Sequence, residues 1–255
     1  MKNIFTLANY NNSLLSKARR RIIRSLKILL FSNNYCIYSR KTHDFHNISF
    51  SQEGEDLVLK CIFGSQEKGF YVDVGAHHPL RFSNTYIFYL KGWRGINIDA
   101  MPGSMEPFKK LRSEDINLEA AISDSSEELT YYSFNEPLLN GFSEEISSSR
   151  VNPGCYIVDK KQIQTIPLSK ILDKYLPRDQ EIDFLSIDVE GLDYQVLLSN
   201  NWSKYKPKVI LVEELFMSLE NIPYESKTFS LLKDRGYKLF AKTFNTSIYK
   251  LVNLE

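Results

Sequence analysis

Four acidic residues, Asp73, Asp99, Asp188 and Glu213, stand at or next to the end of an apolar, β-prone run. A buried parallel strand reads as such a run, and the carboxyl ends of the strands are where an open α/β sheet binds its ligand. The first run, Gly69-Phe-Tyr-Val-Asp-Val-Gly-Ala76, breaks at Gly75, so backbone can approach a ligand closely there. The second, Arg94-Gly-Ile-Asn-Ile-Asp99, ends in a carboxylate able to accept hydrogen bonds from both hydroxyls of a ribose. A third, Ile182-Asp-Phe-Leu-Ser-Ile-Asp188, is followed by Val189-Glu190-Gly191. A carboxylate on such a turn can take a proton from a reacting hydroxyl, and Asp188 is the favoured base with Glu190 as the alternative. Glu190 could equally accept the backbone donors of the next helix start. His78 is a second candidate base. His77 and His78 are adjacent and lack His-x-x-x-His spacing, so no metal site is expected.

What the first turn lacks narrows the ligand. Gly75 is followed by Ala76, His77, His78 and Pro79, which is neither the Gly-x-Gly-x-x-Gly of a dinucleotide site nor a Gly-x-x-x-x-Gly-Lys phosphate loop. An adenosine without phosphates fits both the missing glycines and Asp99, and S-adenosylmethionine is the common cofactor of that description. Its candidate ligands are Gln52, Asp73, Gly75, Ala76, Asn84, Asp99 and Ala120, with the amino-acid end against the Asp73–Gly75 turn and the adenine near Ala120. Arg81, Asn84, Thr85, Glu213 and Glu214 are further candidates to line an acceptor pocket.

The elements that must hold these residues alternate between strand and helix. An apolar set from Leu57 to Phe63 predicts a helix before the first strand, from which Gln52 and Asp56 could reach the ligand. Helical spacing follows over 82–91 with Ser83 as cap, over 102–111, from Pro167 to Tyr175 and over 192–200. Ile116–Ile122 reads as one strand, and Lys208–Glu213 as another. Gly236–Lys242 and Ser247–Val252, with a turn at Asn245-Thr246, read as an antiparallel hairpin. Leu129–Phe134 is β-prone, but 135–159 is loop-like, with Asn140-Gly141, a serine run and Asn152-Pro-Gly154. A loop-rich insert at about 135–162 suits a lid or acceptor-recognition segment and is the part least expected to be rigid. The pattern predicts an α/β fold of the Rossmann-like class I methyltransferase type: a mostly parallel seven-stranded sheet ending in an antiparallel hairpin, helices on both faces.

At 255 residues and 43% hydrophobic content, one domain with a short extension is expected. Residues 1–48 hold nine Lys or Arg against one acid, Asp44, although the whole chain is +1. The remaining 49–255 is mildly acidic, which argues against nucleic acid. Within 15–31 basic and apolar residues fall on opposite faces of a helix, as suits either a helix packed on the body or peripheral contact with an anionic membrane. Its longest apolar run, Ile28–Phe31, is too short for a span or an export signal. Cys36, Cys61 and Cys155 are scattered, giving no disulfide framework and a cytoplasmic expectation.

Tyr71-Val-Asp-Val-Gly-Ala76, Ser83-Asn-Thr85, Gly95-Ile-Asn-Ile-Asp99, Ala120-Ala-Ile-Ser123 and above all Phe184-Leu-Ser-Ile-Asp-Val-Glu-Gly191 together resemble the FkbM family of S-adenosylmethionine-dependent methyltransferases. The resemblance covers roughly 49–252. It departs at His77-His78-Pro79, where the family often has Asn, a small residue and Gly. It implies O-methylation of a sugar, glycan or polyketide hydroxyl. The competing expectations are an NAD(P)-dependent oxidoreductase and a non-catalytic, cofactor-binding assembly factor in glycan synthesis.

Overall fold

A computed structural model of the chain describes residues 47–252, of which those from Ser49 onward belong to one compact unit. Nearly all of the basic extension, its amphipathic stretch at 15–31 and Cys36 lie outside the described residues.

Elements follow in the order α1 (Glu55–Phe63), β1 (Phe70–Val74), α2 (Tyr86–Leu90), β2 (Arg94–Asp99), α3 (Met105–Leu111), β3 (Ile116–Glu119), β4 (Ala121–Ile122) and β5 (Glu128–Phe134). After a 3₁₀ turn at Pro137–Leu139 come α4 (Glu144–Arg150), β6 (Ile157–Ile166), α5 (Leu168–Tyr175), β7 (Phe184–Ile187), α6 (Asp193–Leu198) and β8 (Val209–Glu213). Helices α7 (Ile222–Glu225) and α8 (Lys227–Asp234) precede the hairpin of β9 (Tyr237–Lys242) and β10 (Thr246–Leu251). The main sheet has seven strands in the order β3-β2-β1-β7-β8-β10-β9. Its first five are mutually parallel, and β10 runs antiparallel to both β8 and β9.

Why the sheet is central follows from β1, which is buried along its whole length. Phe70, Val72 and Val74 enter one core with Leu172 of α5, Val196 of α6 and Leu232 of α8. Tyr71 points the other way, into a core with Leu59 of α1 and Phe88 of α2. Alternate side chains thus feed opposite faces, both covered by helices, as a parallel sheet requires. The order of connection reverses between β1 and β7, where a crevice opens beyond the strand tips.

Several boundaries differ from the sequence expectation. The strand read as 116–122 breaks at Ala120, whose N–H donates to the Asp99 carbonyl. Residues 121–122 then leave the main sheet to pair with Thr165 and Ile166 of β6. The helix expected over 82–91 starts at Tyr86 because Phe82 is left-handed (φ 54°), but the Ser83 hydroxyl does accept the Tyr86 N–H. The loop-like stretch 135–159 holds the 3₁₀ turn, α4 and the start of β6. Ser143 caps α4 by accepting the Ile146 N–H, and β6 pairs antiparallel with β5 to make a three-stranded sheet with β4. No helix among the described residues is long and apolar enough to cross a membrane.

Candidate active site

The crevice is a cavity of about 410 Å³ at the tips of β1, β2, β7 and β8, walled also by the turn between β9 and β10 and by the segment from the 3₁₀ turn to α4. Of the residues singled out from sequence, Gln52, Gly75, Asp99, Ala120, Asp188 and Glu190 line it, as do Arg81 and Glu213.

Gly75 sits where the β1 and β7 tips touch. It has φ 87°, and a Cβ there would lie 1.7 Å from the Asp188 carbonyl oxygen, so only glycine fits. Across the crevice the Asp99 carboxylate spans two turns, accepting the His77 N–H on Oδ2 and the Met101 N–H on Oδ1, each at 2.8 Å. Burial raises its pKa while those two donors oppose the rise. One further lone pair on each oxygen remains for a ligand hydroxyl. Met101, Ala120 and Ile122 give this side an apolar wall.

On the other side, Asp188 follows β7 and donates its N–H to the Val74 carbonyl. Its side chain is open to the cavity yet surrounded by protein, and its pKa is raised well above the usual range by desolvation first, then by Glu213 and Glu190. Asp188, Glu190 and Glu213 offer carboxylate oxygens that all lie within 4.8 Å of one another. Desolvation and the Glu190 charge push Glu213 up to about 8. Such a set of hard oxygen donors could hold a divalent cation, a grouping that the spacing of residues in the sequence does not show.

Glu190 is left-handed (φ 55°), and Arg150 at the end of α4 donates to its carboxylate at 2.6 Å. Desolvation raises the Glu190 pKa and Arg150 opposes that rise. The role foreseen as an alternative for Glu190, accepting backbone donors at the helix start, belongs to Asp193, which takes the Val189 and Gly191 N–H groups at 3.1 Å. Gly141, bridged to Tyr132 of β5, packs against this turn, since a Cβ at Gly141 would lie 2.9 Å from the Glu190 Cβ.

The structure places four expected residues elsewhere. Asp73 is buried beneath the cavity floor, where it accepts the Thr85 hydroxyl and desolvation lifts its pKa to about 6. Asn84 donates to the Ser186 hydroxyl in the same layer. Ala76 packs with Met105 and Phe108. His78 accepts the Leu80 and Arg81 N–H groups on Nδ1, which leaves Nε2 to carry the proton of the neutral ring; His77, not His78, reaches the wall. Asp56 is buried too, tying down Ser49, Phe50 and Ser51. Arg150, Tyr131 and Phe142 also line the cavity, and nothing in their local spacing marks them.

A family model described as the methyltransferase FkbM domain matches residues 73–239, from within β1 into β9. The chain belongs to this FkbM methyltransferase family. It is a methyltransferase whose cofactor is S-adenosylmethionine, and the nicotinamide alternative falls away. No curated protein matches the chain. Among solved structures, a TehB-like SAM-dependent methyltransferase from Corynebacterium glutamicum is similar at 10% identity and TM-score 0.38, over 87% of this chain and 98% of that one. In this FkbM methyltransferase the cavity suits the cofactor chemically. Its lining holds an acidic acceptor and an apolar wall, the kinds of group a nucleoside needs, and carboxylates rather than a phosphate cradle line the far side.

Proposed function

We propose that the protein transfers a methyl group to a hydroxyl of a sugar or glycan-related acceptor, with Asp188 as the base. The observation that carries this reading is the carboxylate cluster at the β7 and β8 tips, facing the cavity across from Asp99. Bound S-adenosylmethionine supplies an electrophilic methyl on a sulfonium. The chain's own residues do the rest. Asp99 accepts the ribose hydroxyls, while Met101, Ala120 and Ile122 cover the base. Gln52 and the Gly75 turn flank the amino-acid end, with Asp73, Ala76 and Asn84 supporting that turn from below. Asp188 orients the acceptor hydroxyl and takes its proton as the oxygen attacks, so the proton ends on the carboxylate. A base with a raised pKa holds that proton better than an ordinary aspartate would. Glu190, pinned by Arg150, is the alternative base; His78 would need Nε2 freed of its proton to serve.

The test separates the two halves of the site. Asp99→Ala is expected to weaken S-adenosylmethionine binding by about tenfold or more in calorimetry, while Asp188→Asn leaves binding within about threefold. In assays of labelled methyl transfer to hydroxylated acceptors, Asp188→Asn is expected to slow turnover by about 10²-fold or more. The reverse pattern contradicts the assignment. Tight cofactor binding with no transfer to any such acceptor points to the non-catalytic assembly role instead.

A further inference from the structure

The tips of β1, β2 and β3 supply Gly75, Asp99 and Ala120 to the nucleoside side of the cavity. The tips of β7 and β8 and the turn between β9 and β10 supply Asp188, Glu213, Leu215 and Asn245 to the other. That second side carries features that a nucleoside does not use. Phe216 and Phe244 are 102% and 86% exposed, and each directly adjoins a wall residue, Leu215 or Asn245. The Glu214 N–H donates to the Asn245 carbonyl at 2.8 Å, which ties the two loops together at the cavity mouth. Phe216 is held at φ 60°, a strained conformation for a bulky residue, and presents its ring wholly to solvent. Phe82, also left-handed, stands in the wall itself.

Charge narrows what these rings contact. From Glu213 to Ser226 the chain has four glutamates, Glu213, Glu214, Glu220 and Glu225, and no lysine or arginine. Arg150 pairs with Glu190, and Lys242 donates to the Glu214 carbonyl, but Asp188 and the four glutamates outnumber these cations, so this side disfavours phosphates, uronates and anionic bilayers. Carboxylates accept hydrogen bonds from hydroxyls, and an aromatic face packs against the C–H face of a saturated ring. An uncharged polyhydroxylated ring satisfies both at once.

We infer that the β7–β8 side of the cavity takes the acceptor as an uncharged sugar ring stacked on Phe216 and Phe244, and that anionic sugars are turned away. This deepens, and rests on, the acceptor reading above. The test is saturation-transfer NMR on the full chain with S-adenosylhomocysteine present, using methyl α-glucoside and methyl α-galactoside against methyl glucuronide and glucose 1-phosphate. The neutral glycosides are expected to show transfer, reduced about fivefold or more in Phe216→Ala/Phe244→Ala, with S-adenosylhomocysteine affinity unchanged. Equal binding of the anionic sugars overturns the inference, as does silence of the neutral ones or indifference to the double substitution. Sedimentation with phosphatidylcholine vesicles that is lost in the double variant, with glycoside binding intact, also overturns it and makes the rings a membrane contact. Glycoside binding without methyl transfer upholds the inference while sinking the catalytic reading, so the two fail separately.

Discussion

Glu213→Gln removes one charge from the three-carboxylate cluster while keeping the side chain's shape. Two unit charges 4.8 Å apart repel by about 3.5 kcal/mol at an effective dielectric of about 20. Water in the open cavity halves this to about 1.7 kcal/mol, or slightly more than one pH unit. The cluster titrates as a unit, with Glu213 pushed up to about 8 and Asp188 raised well above the usual carboxylate range. Ionised carboxylates favour a sulfonium cation, whereas the demethylated product is neutral at sulfur. Both share the same amino and carboxyl groups, so the ratio of their dissociation constants isolates the cluster's charge. Measured by calorimetry between about pH 5.5 and 9, the preference for S-adenosylmethionine is expected to rise by about tenfold as the cluster ionises. In Glu213→Gln it should level off about one pH unit lower, because the remaining carboxyls no longer face that neighbour. A ratio that is flat with pH, or that turns over at the same pH in both proteins, refutes the link between cluster and sulfonium.

Arg150→Ala should move the same titration the other way, up by about one pH unit, because a hydrogen bond to a charged group stabilises the ionised form by about 1.5–3 kcal/mol; Arg150→Lys should recover part of the shift, and a downward shift in the alanine variant would exclude the role given to the bridge. Gly75→Ala must leave a left-handed conformation and displace the Asp188 carbonyl, so thermal melting should show a loss of about 3 kcal/mol or more, about 6–12 °C in midpoint for a domain this size, together with lost cofactor affinity; an unchanged midpoint would mean the two strand tips do not meet as described.

Much of the positioning frame is legible in the sequence because buried parallel strands cannot hide. β1, β2, β7 and β8 are short apolar runs, and the acids at or beside their ends become the two sides of one cavity once strand order is known. Burial of Asp73 is the exception, since strand alternation turns its side chain to the face shared with Thr85 and away from the crevice. The three-stranded sheet left a weaker trace. Most of β6 is exposed, from Val158 through the polar run Asp159–Gln162, and α4 has a single apolar residue, Ile146, so neither carries a periodic signal. Helix α8 does bury Thr228 and Leu232, but a two-turn stretch with mixed polarity offered too few repeats to be assigned. Arg150 and Glu190 are joined only by tertiary packing, forty residues apart, and no local rule couples them.

The Asp99 carboxylate already grips the backbones of His77 and Met101 in the free protein. In the proposed cofactor placement, the loops that enclose the nucleoside are therefore held from folding onward, and docking forfeits little conformational entropy to arrange them. Half the cavity is thus a rigid socket before its guest arrives.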